Sequence, residues 1–165
     1  MALIGLGLGV TLAGVNLYFE RGQSPGNTHG SASRIAGGTE IGGPFTLVNH
    51  KGETVTRKDY ADKPRLIYFG FTYCPSICPT ELQKMARALE TSGADEHNAV
   101  YPLFITVDPE RDTPEVMAQY VEMFHPDMIG LTGSPEQIEQ VKDQYKIYAS
   151  KVQTPEMSDY TMDHS

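Results

Sequence analysis

Two cysteines, Cys74 and Cys78, stand four residues apart in the segment 69–80, FGFTYCPSICPT. An apolar run that predicts a buried strand precedes them, and a stretch with helical periodicity follows them. Residues four apart at a helix start face the same side, so the two thiols can close into a disulfide or bind a soft metal together. Exposed helix N–H groups favour the thiolate, and we expect a thiol pKa below about 8.5 here.

A soft metal needs a further ligand, and His164 is the candidate at the far end of the sequence. Thiolates prefer Cu(I) to hard cations, and two thiolates with one neutral imidazole give a three-coordinate copper site. Pro75 and Pro79 fix local backbone angles and stiffen the loop that holds the thiols. The alternative is that both cysteines are buried apolar residues; two of them at this spacing after a buried strand favour chemistry instead.

Composition limits what the chain can be. Its 165 residues suffice for one domain with a hydrophobic core. The formal net charge of -8 argues against a nucleic-acid partner. Two cysteines exclude both a disulfide-rich scaffold and a four-thiolate zinc site.

The N-terminal residues 1–19 carry no charged side chain and are mostly apolar. At about 1.5 Å per residue they approach the roughly 30 Å thickness of a bilayer core, which predicts a transmembrane anchor. A cleaved signal peptide and a buried helix are the alternatives, but no basic segment precedes the run and no A-x-A site follows it. Residues 20–43 are rich in Gly, Ser, Thr and Asn and predict a flexible linker, which leaves 44–165 as the folded domain.

Strand and helix patterns alternate through that domain and predict an α/β fold. The sheet is expected to be largely parallel, with helices on both faces. Residues 160–165 look like the start of a strand without a neighbour, which predicts that the C-terminal part of the fold is missing. The predicted strands are 45–48, 53–56, 66–71, 100–107, 128–131 and 145–152, and helices begin after Cys78 and at Thr113 and Ser134.

Four ordered blocks of the sequence resemble the Sco/SenC family of copper proteins. The segment 68–82 is similar to the family's dithiol segment, and 163–165, Asp-His-Ser, is similar to its ligand-histidine motif. The stretches 106–115 and 130–134 agree as well, so the resemblance covers roughly 42–165. Ser76 departs from the pattern, because the family commonly has an acidic residue between the cysteines.

The resemblance implies a thioredoxin-like domain, a central mixed sheet flanked by helices, behind a single membrane anchor. It implies copper bound by Cys74, Cys78 and His164, and a domain that faces the bacterial periplasm or the mitochondrial intermembrane space. The expected role is a copper metallochaperone that supports assembly of the binuclear copper site in cytochrome c oxidase subunit II. An upstream copper donor and a thiol reductant are the other expected partners.

Two other functions compete with the chaperone. A thiol–disulfide oxidoreductase could reduce the partner's cysteines, with Cys74 as the attacking thiol because it should be the more exposed. A peroxidase needs no third metal ligand, so Asp163-His164 argues against it. We further expect 108–115 to be a solvated loop in which Glu110, Arg111 and Asp112 pair locally, rather than a docking surface. Met162 is expected to be a core residue rather than an auxiliary ligand. We expect His50, His97 and His125, in turns or at helix ends, to be structural or exposed, and His29 to be a solvated residue of the linker.

Overall fold

The computed structural model describes residues 33–34, 40–91 and 100–165. Its largest sheet has five strands: β3 (Thr46–Asn49), β4 (Thr54–Thr56), β5 (Arg65–Gly70), β6 (Tyr101–Thr106) and β7 (Ile129–Thr132), in the order β4-β3-β7-β6-β5. Two short strands, β1 (Ser33–Arg34) and β2 (Glu40–Ile41), pair antiparallel within the segment predicted to be a linker.

The central sheet is mixed. Strands β5, β6 and β7 run parallel to one another, whereas β3 is antiparallel to both β7 and β4. The β3–β4 hairpin closes through Asn49, whose side-chain oxygen accepts the N–H groups of Lys51 and Glu53 at 2.9 Å. Gly52 takes a φ of +81° in this turn, a conformation that L side chains rarely adopt.

In the described part of the chain, three α-helices alternate with strands β5, β6 and β7: α1 (Ile77–Thr91), α2 (Pro114–Glu122) and α3 (Pro135–Tyr145). The sequence predicts the starts of α2 and α3 well. The side chains of Thr113 and Ser134 accept the N–H groups of Val116 and Gln137, with proline at the first helical position in each case. A 3-10 helix spans Arg57–Tyr60.

The two faces of β6 pack against different helices, which confirms the prediction of helices on both sides of the sheet. Leu103 and Ile105 belong to a core that α3 completes with Ile138 and Val141. Phe104 points to the opposite face, into a second core that contains Leu82 of α1 and Met117 and Val121 of α2. Because successive strand residues face opposite sides, one apolar strand serves both cores.

The C-terminal strand prediction needs two corrections. Residues 145–152 are not one strand: α3 continues to Tyr145, Lys146 takes a left-handed φ of 60°, and only Ala149–Val152 form β8. The final strand, β9 (Thr161–His164), is not without a neighbour, since it pairs antiparallel with β8. Together β8 and β9 form a two-stranded sheet separate from the central one.

The predicted membrane anchor, 1–19, lies outside the described residues. Within 33–34, 40–91 and 100–165, no helix has both the length and the apolar character to span a bilayer.

Candidate metal and redox centre

The two cysteines lie side by side where β5 gives way to α1. Cys74 sits in the connecting loop, and its N–H donates to the carbonyl of Phe71 at 3.3 Å. Cys78 lies in the first turn of α1, and its N–H donates to the Cys74 sulfur at 3.3 Å. Both are free thiols; Cys78 is fully buried and Cys74 is 7 % exposed. The helix start therefore delivers the paired thiols that the spacing predicts.

Gly70, the last residue of β5, makes room for Cys78. A Cβ atom at Gly70 would lie 2.9 Å from the Cys78 sulfur, closer than such atoms approach. The sulfur therefore rests directly on the strand backbone, and a larger residue would push it away. This explains why a glycine interrupts the apolar run just before the cysteines.

His164 reaches the cysteines from β9. Its Nε2 atom lies 3.7 Å from the Cys78 sulfur, although 86 residues separate the two in the chain. The imidazole also makes an edge-to-face contact with Phe71, with ring centroids 5.8 Å apart. The structure thus brings His164 next to Cys78, and Cys78 next to Cys74.

Two contacts link the three side chains: Cys74 with Cys78, and Cys78 with His164. Among the described residues, no set of three or more His, Cys, Asp or Glu side chains is already assembled for metal binding. Two sulfur atoms and one imidazole nitrogen are a donor set that suits Cu(I).

The environment makes the two thiols unequal. Burial acts to raise the pKa of Cys74, but N–H groups of Cys78, Ser76 and Ile77 hydrogen-bond to it and lower that pKa overall. Burial raises the pKa of Cys78, which outweighs its hydrogen bond with the Tyr68 hydroxyl. Cys74 is therefore the thiol that ionises first, as the sequence predicts for a thiol facing a helix start.

Burial lowers the pKa of His164 below 6.5, and the nearby charge of Asp163 opposes this shift only in part. The imidazole is consequently neutral near pH 7. A neutral ring nitrogen is the form that binds a metal ion.

Asp112, which the sequence placed in a solvated loop, is buried behind the cysteine loop. Its carboxylate accepts the N–H of Thr72 at 3.1 Å and the hydroxyls of Thr72 and Thr106, each at 2.5 Å. Burial raises the pKa of Asp112, against the effect of these hydrogen bonds. Thr72 lies two residues before Cys74, so Asp112 fastens the loop of the first thiol to β6.

The expectation of a solvated loop at 108–115 is wrong for Asp108 as well, which is 1 % exposed. The pairing expected among Glu110, Arg111 and Asp112 is also wrong: Arg111 Nε donates to Asp108 at 2.6 Å, and Glu110 pairs with Lys151 instead. Asp108 also accepts the hydroxyl of Tyr160 at 2.8 Å, one residue before β9 begins. Sequence reasoning missed these roles because the partners lie roughly 40 to 50 residues apart in the chain. The signal present was two acids just beyond a mostly apolar, buried strand.

Other candidates are structural. Met162 packs against the core that includes Cys74 and Cys78, as expected for a core residue. His50 accepts the N–H of Gly130, and His125 accepts that of Asp127, each at 3.1 Å. His29, predicted to be a solvated linker residue, and His97, predicted to be structural or exposed, lie outside the described residues.

The fold and the paired thiols together define a thioredoxin-like protein with a dithiol at a helix start. The SCO1/SenC family profile matches residues 33–165. The chain belongs to the SCO1/SenC family.

Known relatives agree with this assignment. The chain is 51 % identical over 134 residues to the Arabidopsis thaliana mitochondrial protein SCO1 homolog 1, covering 79 % of this chain and 39 % of that protein. It is 43 % identical over 165 residues to the Bos taurus mitochondrial protein SCO2 homolog, covering 99 % of this chain and 60 % of that protein. The chain therefore spans less than two thirds of the length of each of these relatives.

Solved structures are similar in backbone as well as in sequence. Arabidopsis thaliana ScoI with copper bound matches with a TM-score of 0.71 at 49 % identity, over 76 % of this chain and 77 % of that one. Yeast Sco1 with copper bound matches with a TM-score of 0.69 at 40 % identity, over 76 % of this chain and 70 % of that one.

Proposed function

We propose that the chain is a membrane-anchored copper metallochaperone that supports assembly of the binuclear copper site in cytochrome c oxidase subunit II. The observation that carries this proposal is the 3.7 Å approach of His164 to Cys78, with the Cys78 N–H directed at the Cys74 sulfur. Family membership and the copper-bound relatives support the same metal. Copper is here the cargo of the protein.

Cys74, Cys78 and His164 are the proposed ligands. Because its pKa is lowered, Cys74 provides the first thiolate. Cys78, whose pKa is raised by burial, gives up its proton when copper binds. His164 offers its neutral imidazole from a strand outside the central sheet. Cys74 is the more exposed of the two sulfurs and is the one that an incoming ligand of the partner reaches first, so copper passes on by stepwise ligand exchange.

Location and partners follow from the same proposal. The relatives that carry a mitochondrial name support the intermembrane space over the bacterial periplasm as the compartment. An upstream protein delivers copper, and a thiol reductant keeps Cys74 and Cys78 available. A bond between the two sulfurs removes both thiolates, so oxidation closes the site to copper.

Copper binding by the reduced chain tests this proposal. We expect one Cu(I) per chain, measured by metal analysis and by competition with a Cu(I) chelator of known affinity. Replacement of Cys74 or Cys78 by alanine abolishes tight binding, whereas Ser76→Ala, between them, leaves it intact. Full stoichiometry and affinity in either cysteine variant contradicts the ligand assignment.

The unequal thiols favour a second candidate function, a thiol–disulfide oxidoreductase. The Cys74 thiolate attacks a disulfide of the partner, forms a mixed disulfide and releases one partner thiolate. Cys78 then loses its proton and attacks the Cys74 sulfur, which forms the Cys74–Cys78 bond and releases the second partner thiol. The partner gains two electrons from this dithiol. The thiol reductant then returns two electrons to the Cys74–Cys78 disulfide and regenerates both thiols.

His164 separates the two functions, since it ligates copper but takes no part in sulfur exchange. We expect His164→Ala to weaken copper binding while the dithiol still oxidises and reduces normally. In cells grown with limiting copper, a chaperone with this substitution loses most oxidase assembly at normal protein level. Near-normal oxidase activity would instead identify the oxidoreductase as the function.

A further inference from the structure

Arg111 lies between the two segments that carry the proposed ligands. It belongs to the connection between β6 and α2, and its side chain is 18 % exposed. The guanidinium carbon lies 3.7 Å from the ring centroid of Tyr160 and 4.8 Å from that of Tyr73. Both distances are within the range of cation–π attraction.

Polar contacts fix the guanidinium in this place. Its Nε donates to Asp108 at 2.6 Å, and its Nη1 donates to the Tyr160 carbonyl at 2.9 Å and to Asp159 at 3.2 Å. The Tyr160 hydroxyl returns to Asp108 at 2.8 Å. Asp108, Arg111 and Tyr160 therefore each contact the other two. This arrangement constrains the position of the arginine side chain more than a single surface ion pair would.

The two aromatic residues stand next to the ligands in the chain. Tyr73 directly precedes Cys74, and Tyr160 directly precedes β9, which ends at His164. Tyr73 is 65 % exposed, and its ring lies against the Arg111 guanidinium. The Nη2 atom of Arg111 is buried and has no hydrogen-bond partner among the described residues, a cost that a freely solvated arginine would avoid.

We propose that Arg111 is a positioning residue that holds the dithiol loop and the His164 strand together, so that His164 shares an ion with the two sulfurs. The inference rests on the proposed copper function and assigns a cause to the short Cys78–His164 distance. Without this contact, residues 157–165 keep the β8–β9 pairing but no longer hold His164 at a fixed distance from the cysteines.

The geometry requires arginine in particular. A planar guanidinium can contact aromatic rings through its π-system while its edge donates to Asp108 and to the Tyr160 carbonyl. Lysine keeps the positive charge and the stem but offers a compact ammonium that cannot make these contacts together. Arg111→Lys is therefore the informative substitution, and Arg87→Lys, on the exposed side of α1, is the matched control.

A double-mutant cycle on Cu(I) affinity tests the proposal. We expect Arg111→Lys to weaken Cu(I) binding by about tenfold or more, as loss of a residue that orients a ligand does. In a His164→Ala background the same substitution has a much smaller effect, because the ligand on the β9 side of the contact is gone. Equal weakening in both backgrounds, or no weakening in either, overturns the proposal; Arg87→Lys leaves affinity unchanged.

Hydrogen exchange of the reduced, metal-free chain supplies a readout that does not depend on copper. Arg111→Lys is expected to speed amide exchange in Thr161–His164 and in the loop at Cys74, while the central strands keep wild-type protection. Tyr160→Phe removes only the hydroxyl that reaches Asp108 and has a smaller effect in the same direction. Unchanged exchange in both variants overturns the proposed contact.

The two proposals fail differently. If the wild-type chain binds no Cu(I), the copper function falls, and the statement that Arg111 serves copper binding falls with it. If wild type binds Cu(I) and Arg111→Lys changes neither affinity nor exchange, only the role of Arg111 is overturned.

Discussion

At the scale of single residues, the two thiols differ because their surroundings differ. Cys74 gathers N–H groups from the start of α1, and these stabilise its thiolate. Cys78 lies against the backbone of Gly70, where burial penalises the charged form. Cys74 is thus the thiol that ionises and reacts first, and Cys78 stays protonated until a metal ion or a mixed disulfide draws it into reaction.

Alkylation should reveal this difference. In oxygen-free buffer, we expect iodoacetamide to modify Cys74 first, with a half-maximal rate at a lower pH than for an ordinary thiol, because the pKa of Cys74 is lowered. Cys78 reacts only at strongly alkaline pH, because burial raises its pKa. Fragment mass spectrometry assigns each modification, and equal rates at the two positions would contradict the asymmetry.

The lowered pKa of His164 predicts how stability depends on pH. As the pH falls below 6.5, the unfolded chain takes up the proton before the folded chain does, so the free energy of unfolding decreases until the folded pKa is passed. His164→Gln removes this contribution and flattens the decrease between pH 7 and pH 5. Urea unfolding at both pH values measures it.

The pKa of His50 is also lowered by burial, so His50 shifts stability in the same direction. His50→Gln is the control that isolates its share. If His164→Gln leaves the decrease unchanged, the imidazole is not desolvated in the folded chain.

At the scale of elements, Asp112 connects three of them. It lies between β6 and α2, and it binds the loop before α1 through Thr72 and the end of β6 through Thr106. The carboxylate satisfies three donors at once in a buried place. The cysteine loop therefore takes its shape from a residue about 40 positions away.

Asp112→Ala leaves those buried donors unsatisfied. We expect it to lower the free energy of unfolding by about 2 kcal/mol, the usual cost of stranding buried polar groups. The exposed Asp143→Ala on α3 should change it by less than about 0.5 kcal/mol. Urea unfolding measures both, and an equal effect of the two substitutions would contradict the buried role of Asp112.

The elements were predictable from sequence where their signals are local. The apolar run before the cysteines, the caps at Thr113 and Ser134 and the Asn49 turn all act within a few residues. The stretch 145–152 was wrongly predicted to be one strand. Tyr145, Ile147 and Ala149 all pack against the same core, so they alternate along the sequence as the buried residues of a strand do. In fact the first of them ends a helix and only the last begins β8.

The sequence indicated the proposed ligands but not the residues that hold them in place. The chemistry and spacing of the cysteines indicated Cys74 and Cys78 as a pair, and the family resemblance indicated His164 as the third proposed ligand. The structure places the His164 Nε2 atom 3.7 Å from the Cys78 sulfur. Asp112 and the contacts of Arg111 with Tyr160 depend on tertiary structure between distant segments. Charged residues after a strand look like a solvated loop until a fold shows which of them are buried.

At the scale of the whole molecule, the proposed ligands belong to separate sheets. The cysteines stand at the end of the five-stranded sheet, and His164 lies on the two-stranded β8–β9 sheet. An ion held by all three would join the two sheets directly. Metal binding should therefore be linked to global stability, as for any ligand that binds the folded chain better than the unfolded one.

Thermal unfolding with Cu(I) tests this linkage. For the reduced wild-type chain, free Cu(I) at 100 times the dissociation constant should add about 2.7 kcal/mol to the free energy of unfolding, and the midpoint temperature should rise with it. Cys74→Ser loses a thiolate ligand and should show little change with Cu(I) present. The oxidised chain is the second comparison, because joining Cys74 to Cys78 shifts the metal-free midpoint but removes both thiolates. If Cu(I) stabilises the oxidised chain as much as the reduced one, the ion binds elsewhere, and the two sheets are not joined through Cys74, Cys78 and His164.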